Sequence, residues 1–135
     1  MARIVLTDAK CVINSVNLSD HISSVSLSTT NDVVETSAFS STAAKTRVAG
    51  LQDNSVTIEF HQDYASSNVE ATIYPLLGTT TTILVSPTST VSATSPSYSF
   101  TALVSEWTPL NGGVGELATA SVTWPISGAI TKATA

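Results

Sequence analysis

The sequence predicts a mainly β protein: two packed antiparallel β-sheets, a sandwich or flattened barrel, with one flanking α-helix. Three observations carry this. Ser and Thr make up about a third of the 135 residues; Thr favours strands, and Ser favours turns and exposed strand faces. Charged residues are only 11%, against about 25% in typical proteins, so the Lys and Glu that usually surface helices are scarce. Apolar residues reach 42% and alternate with polar ones in several runs. The length suits one domain, 1–135, with a real core and no staples. Residues 1–10 read as an N-terminal arm and 126–135 as a C-terminal arm or a short strand.

The elements follow in order. A strand is predicted around Cys11–Val16, followed by the polar turn "NLSD". In "ISSVSLSTT", Val25 and Leu27 alternate with Ser24, Ser26 and Ser28 as a half-buried strand should. "TND", 30–32, reads as a turn and "VVETSAF" as the returning strand of a hairpin. "SSTAAKTRVAGLQDN", 40–54, is small, polar and weakly periodic, and reads as a long excursion closed by Gly50 before a strand from Asn54 to Asp63. "SNVE", 67–70, has the form of a capping box, and Val69, Ile73 and Leu76 or Leu77 recur at helical spacing. Gly78 stands where a C-terminal cap belongs, and Pro75 shortens or kinks the last turn, leaving about two turns of helix. Strands are then predicted at "TTTTILVSP", at 98–110 and at "ELATASVTWP", the last two joined by the turn "NGGVG". In the final strand Ala118, Ala120, Val122 and Trp124 share a face.

Composition excludes several functions. The net charge is −5, and Arg3, Lys10, Lys45, Arg47 and Lys132 are scattered, whereas nucleic-acid binding needs a basic stripe. Cys11 stands alone, so no disulfide framework is expected. "MARIVLTDAK" lacks the apolar run of a signal peptide, which predicts synthesis in a reducing cytosol. No apolar run reaches membrane-spanning length, so no membrane role is expected.

Candidate chemistry is thin. On a strand, Glu59, His61 and Asp63 share one face, the residue types of a metal site or an acid–base pair. They spread over roughly 13 Å, too far to meet on one ion without a bulge. The only other histidine is His21. A triad assembled from Asp20, His21 and any of so many serines discriminates nothing, and no G-x-S-x-G elbow exists. Trp107, Trp124, Tyr98 and Phe100 suit a sugar-stacking platform or a core; their apolar strand neighbours favour the core. No catalytic residue, metal or cofactor is expected.

The order of motifs in "VVETSAFSSTAAKTRVAGLQDNSVTIEFHQDYA" resembles the middle of the tail tube proteins, or major tail proteins, of long-tailed bacteriophages of siphophage type. The carrying pattern is Glu35-Thr36, then Phe39, a small polar loop with Arg47, Val48 to Leu51 with Gly50, and Asp53 before an alternating strand. "VNLSDHISSVSL" upstream, and "ATIYPLLGTTTTILVSPT" and the closing residues downstream, are similar to tail proteins of actinobacterial phages. The resemblance runs from about Val12 to the end.

That resemblance implies a structural virion protein, not an enzyme. It implies six-fold rings stacked into a tail tube, with strands of all subunits joined into a barrel around a lumen. The implied partners are the chain itself, a tape-measure protein, and tail tip and terminator proteins. DNA would pass through without specific binding. The place would be the virion tail, assembled in the host cytoplasm. Residues 40–50 match the family's inter-subunit loop, which makes Lys45, Arg47, Gly50 and Leu51 the assembly candidates. Asp32, Glu35 and Glu59 are the acidic candidates for the lumen wall. The alternatives are a monomeric β-sandwich module that binds a sugar or receptor, and a tail terminator or connector of the same fold.

Overall fold

In "KCVINSVN", Asn14 and Ser15 both take positive φ, 50° and 68°, the signature of a type I′ turn. The predicted strand at 11–16 is therefore a tight hairpin of β1 (Lys10–Ile13) and β2 (Val16–Asn17), with Ile13 opposite Val16. The computed structural model describes residues 5–39, 43–93 and 95–134. Among them, β1 and β2 join β5 (Thr80–Ser86), β6 (Ser97–Leu103) and β8 (Thr131–Ala133) in a five-stranded antiparallel sheet of order β2-β1-β5-β6-β8. A second antiparallel sheet, β3-β4-β7, is made of β3 (Ile22–Glu35), β4 (Arg47–His61) and β7 (Thr119–Pro125).

The sheets bury their facing stripes on one another. Cys11, Ile13, Ile83, Val85, Phe100 and Ala102 come from the larger sheet, and Val56, Ile58, Phe60, Ala120, Val122 and Trp124 from the smaller. Each fully buried side chain of this size contributes about 1.5–3 kcal/mol. Trp124 and Phe60 are fully buried, and Trp107 meets Phe60 edge-on at 5.5 Å between ring centroids. The aromatic residues therefore pack the core, with Tyr98 partly buried against it.

The smaller sheet departs from the sequence reading in an instructive way. Residues 30–32 do not turn. β3 runs straight through them to Glu35, and β4 begins at Arg47, seven residues before the expected Asn54. Asn31 pairs with Gln52 and Val33 with Ala49, so Asp32 alone lies opposite Gly50 and Leu51. This is a β-bulge, with two residues facing one. Small polar residues made 40–54 look like loop because this half of the hairpin packs on no second sheet, and hydrophobic alternation reports burial rather than pairing.

Two further expectations are corrected. Ser67 has φ 64° and the helix α1 (Val69–Ile73) is preceded by Asn68, so the predicted capping box does not form. The Glu70 carboxylate instead accepts from Trp107 Nε1 at 2.8 Å and Gln62 Nε2 at 3.2 Å. Pro75 does convert the last turn, Tyr74–Leu76, to a 3-10 turn, and Gly78 ends it at φ 85°. The strand expected at 98–110 stops at Leu103, and 104–118 crosses to the other sheet, so "NGGVG" closes no hairpin. At the C-terminus residues 131–133 are a strand paired with β6, the short-strand alternative of the two expected. Of the expected N-terminal arm, residues 5–9 form no strand, β1 starts at Lys10, and 1–4 lie outside the described residues.

Candidate functional site

Three features bear on function: a projecting arm, an open sheet edge beneath it, and a hydroxyl-lined sheet face. The arm is the far half of the β3–β4 hairpin. From Thr30 to Glu35 and from Arg47 to Asp53 every residue is exposed, and the first buried residue of β4 is Asn54. Asn54 is the root. Its Nδ2 donates to the Gly128 carbonyl at 3.1 Å and to Gln52 Oε1 at 3.3 Å, its Oδ1 accepts from the Thr29 hydroxyl, and its carbonyl accepts from Ile126 N at 2.9 Å. A buried amide with every group partnered fixes the point where the arm leaves the body. Sequence reasoning missed it; the signal was a lone Asn at an inward position of an otherwise apolar alternation.

The four assembly candidates fall on this arm. Lys45 lies in the connecting segment and sits 3.6 Å from Glu35. Arg47, Gly50 and Leu51 belong to β4, not to a loop as expected. Ser40, Ser41 and Thr42 of the expected loop lie outside the described residues. Gly50 has no room for a side chain: a Cβ there would stand 3.0 Å from Val34 Cγ2 and 3.2 Å from Asp32 Cβ. The bulge presents Leu51 to solvent at 81% exposure, beside Val33, Val34 and Val48, all largely exposed.

The acidic candidates divide. Register places Asp32 on the same face as Glu59, while Glu35 lies on the opposite face, across from Arg47. The Glu59 face of the smaller sheet is lined by Ser24, Ser26 and Ser28 on β3, Ser55 and Thr57 on β4, and Thr119, Ser121 and Thr123 on β7. No Lys or Arg lies on this face within 24–28, 55–61 and 119–125.

The two edges of the smaller sheet differ. On β7, Thr119 N donates to the Asn111 carbonyl at 3.1 Å and Thr123 N to Glu106 Oε1 at 2.8 Å, and Pro125 carries no N–H. That edge is partly covered. On β3 no further strand is paired among the described residues. A furrow runs along this open edge. Its main part is a cavity of about 510 Å³ lined by Leu6, Val25, Leu27, Val85, Tyr98 and Ile130, with Lys132 at its rim. A smaller part of about 240 Å³, lined by Lys10 and Ile22, shares Leu6, Ala9 and Val25 with it.

The Glu59, His61, Asp63 row does not converge. Glu59 is exposed, His61 Nδ1 is buried without a hydrogen-bond partner among the described residues, and Asp63 lies beyond β4. Asp63 turns instead to His21, whose Nε2 is 2.8 Å from Asp63 Oδ2 while Nδ1 is 2.8 Å from Asp20 Oδ1. Two carboxylates on the two ring nitrogens favour the doubly protonated imidazolium, in which both nitrogens donate. Partial burial lowers the His21 pKa, but hydrogen bonds to Asp63 and Asp20, with their charges, outweigh it and hold it above the usual value. Asp63 is held below the usual carboxylate range by the Ala65 N–H and then by His21. Cys11 is buried, which pushes its thiol up to about 12 and leaves it unreactive.

No protein-family profile and no curated protein matches the chain. Solved structures do. A chain in the virion of a native gene transfer agent particle superposes with TM-score 0.77 at 11% identity, covering 96% of this chain and 98% of that one. The two chains share a fold. A chain from the C6-symmetric tail of an empty gene transfer agent particle gives TM-score 0.61 at 15% identity, over 82% of this chain and 81% of that one. A chain of the six-fold anti-feeding prophage baseplate gives 0.61 at 10%, over 98% and 97%. With coverage of 82–98% of this chain, these likenesses span both sheets and the short helix.

Proposed function

We propose that this protein is a non-enzymatic tail tube subunit that self-assembles into stacked six-fold rings and forms a conduit for DNA. The observation that carries the reading is the outer face of the smaller sheet. It is broad and hydroxyl-rich, has Glu59 near its centre, and presents no cation to hold phosphates. On a tail-protein fold, such a face suits a lumen wall along which DNA must slide. The exposed apolar arm and the open β3 edge supply surfaces for joining copies. The tape-measure, tip and terminator proteins are the expected further partners, and the virion tail the expected location.

The likeness to a baseplate chain favours a second reading, in which the same subunit sits at an end of the tail as a connector or terminator. Negative-stain electron microscopy of the concentrated protein, alongside virions, separates the readings. Hollow tubes or stacked rings with the diameter of the tail shaft are the expected result. Single rings at the tail end only would favour the connector. Monomers together with absence from the tail would overturn both.

A further inference from the structure

We infer that the furrow along the open edge of β3 is the receptor for the arm of a second copy, with Leu51 as the inserted side chain. The inference rests on the tube reading and names its inter-subunit contact. The furrow is walled on one side by Val25 and Leu27 and on the other by Val85, Tyr98 and Ile130. Its main cavity, about 510 Å³, has room for a few aliphatic side chains but not for a strand and its backbone. The arm offers such side chains: the bulge at Gly50–Leu51 pushes Leu51 out of the ribbon, with Val33, Val34 and Val48 exposed around it.

Charge favours this occupant over the exposed apolar loop with Leu110, Val114 and Leu117. Lys132 stands at the rim of the main cavity and Lys10 at the smaller one. Beside Leu51 on the arm stand Asp32, directly across the bulge, and Asp53, two residues on. The loop carries only Glu116, whose carboxylate is already engaged by the Gly113 N–H at 3.1 Å. A leucine knob with an acid on either side therefore matches an apolar hole with two lysines at its margin.

The test mixes two singly substituted proteins, Leu51→Cys and Lys132→Cys, under conditions that assemble the wild type, and adds a short bis-maleimide. Both positions are exposed, and buried Cys11 does not compete. A cross-link in the mixture can only join two copies. The expected result is a covalent dimer from this pair and none from Val114→Cys with Lys132→Cys. In parallel, Asp53→Lys should weaken assembly about tenfold or more, and adding Lys132→Glu to the same chain should recover most of it. Tubes that form without the Leu51–Lys132 cross-link, or that cross-link through Val114, overturn the inference and leave the tube reading standing. Failure of the wild type to form tubes or rings, in solution and in virions, overturns the tube reading itself.

Discussion

Replacing Leu51 with Ala should separate folding from assembly. At 81% exposure Leu51 contributes little to the isolated fold, so nearly all of its apolar surface awaits a partner. Full burial of a leucine side chain is worth about 1.5–3 kcal/mol, and truncation to Ala forfeits most of that, about 1.5–2.5 kcal/mol per contact. Each 1.4 kcal/mol is tenfold in an equilibrium constant. The concentration at which copies begin to assemble should therefore rise about 10- to 60-fold. Sedimentation of assembled protein over a concentration series reads this directly. Urea or thermal unfolding of the unassembled protein should move by no more than about 0.5 kcal/mol, the usual range for surface changes. An unchanged assembly threshold, or a monomer destabilised by more than about 1 kcal/mol, would refute the reasoning, because Leu51 would then be idle or part of the fold.

Other expectations follow from the same geometry. Gly50→Val forces Val34 and Asp32 aside, since its Cβ alone would stand 3.0 and 3.2 Å from them; assembly should fail while circular dichroism and melting stay near wild type, and a globally unfolded variant would show that the arm is needed for the fold. Asn54→Ala removes the hydrogen bonds to Gly128, Gln52 and Thr29 and should cost about 1–3 kcal/mol, visible as a lower urea midpoint. Glu59→Lys places a cation on the hydroxyl face and should slow DNA ejection from virions more than it reduces their assembly; equal loss of both would remove that face from the lumen. His21 and Asp63 give a pH signature. His21 is raised, so its contribution is full below about 6.5 and fades as pH rises through its folded value; Asp63 is lowered, so its contribution is present above about 3.9 and fades as pH falls. The stability difference between wild type and His21→Gln should thus be widest between about pH 4 and 6.5, and a flat difference from pH 4 to 9 would show that the cluster is not an ion pair.

The body of the protein was legible wherever an element lay half in the core. Val25 and Leu27, Val56 to Phe60, and Ala120 to Trp124 alternate because one face is buried and the other wet, and the strands stand where that pattern put them. The arm was not legible. Arg47 to Asp53 is paired strand, yet both its faces meet solvent, so selection for an apolar stripe is absent and a small polar run looks like loop. The capping box failed for a different reason: Glu70 had a stronger use, bonding Trp107 across 37 residues, and no local pattern reveals a distant partner. Likewise Asp63 was placed with Glu59 and His61 by spacing, whereas the fold gives it to His21 from 42 residues away. The resemblance to tail tube proteins carried the fold further than periodicity did, and it drew attention to 40–51 although it mistook strand for loop.

The two edges of the smaller sheet are unequal, and this biases where another chain could add to it. A strand edge is a template for another chain, and a sheet open at both sides can recruit copies without end. Here Asn111 and Glu106 cover part of the β7 side, so another chain meets fewer free backbone groups there than at β3. Edge-to-edge growth of this sheet is thereby biased to its β3 side. Glu106, outside every strand, contributes to that bias by taking the Thr123 N–H.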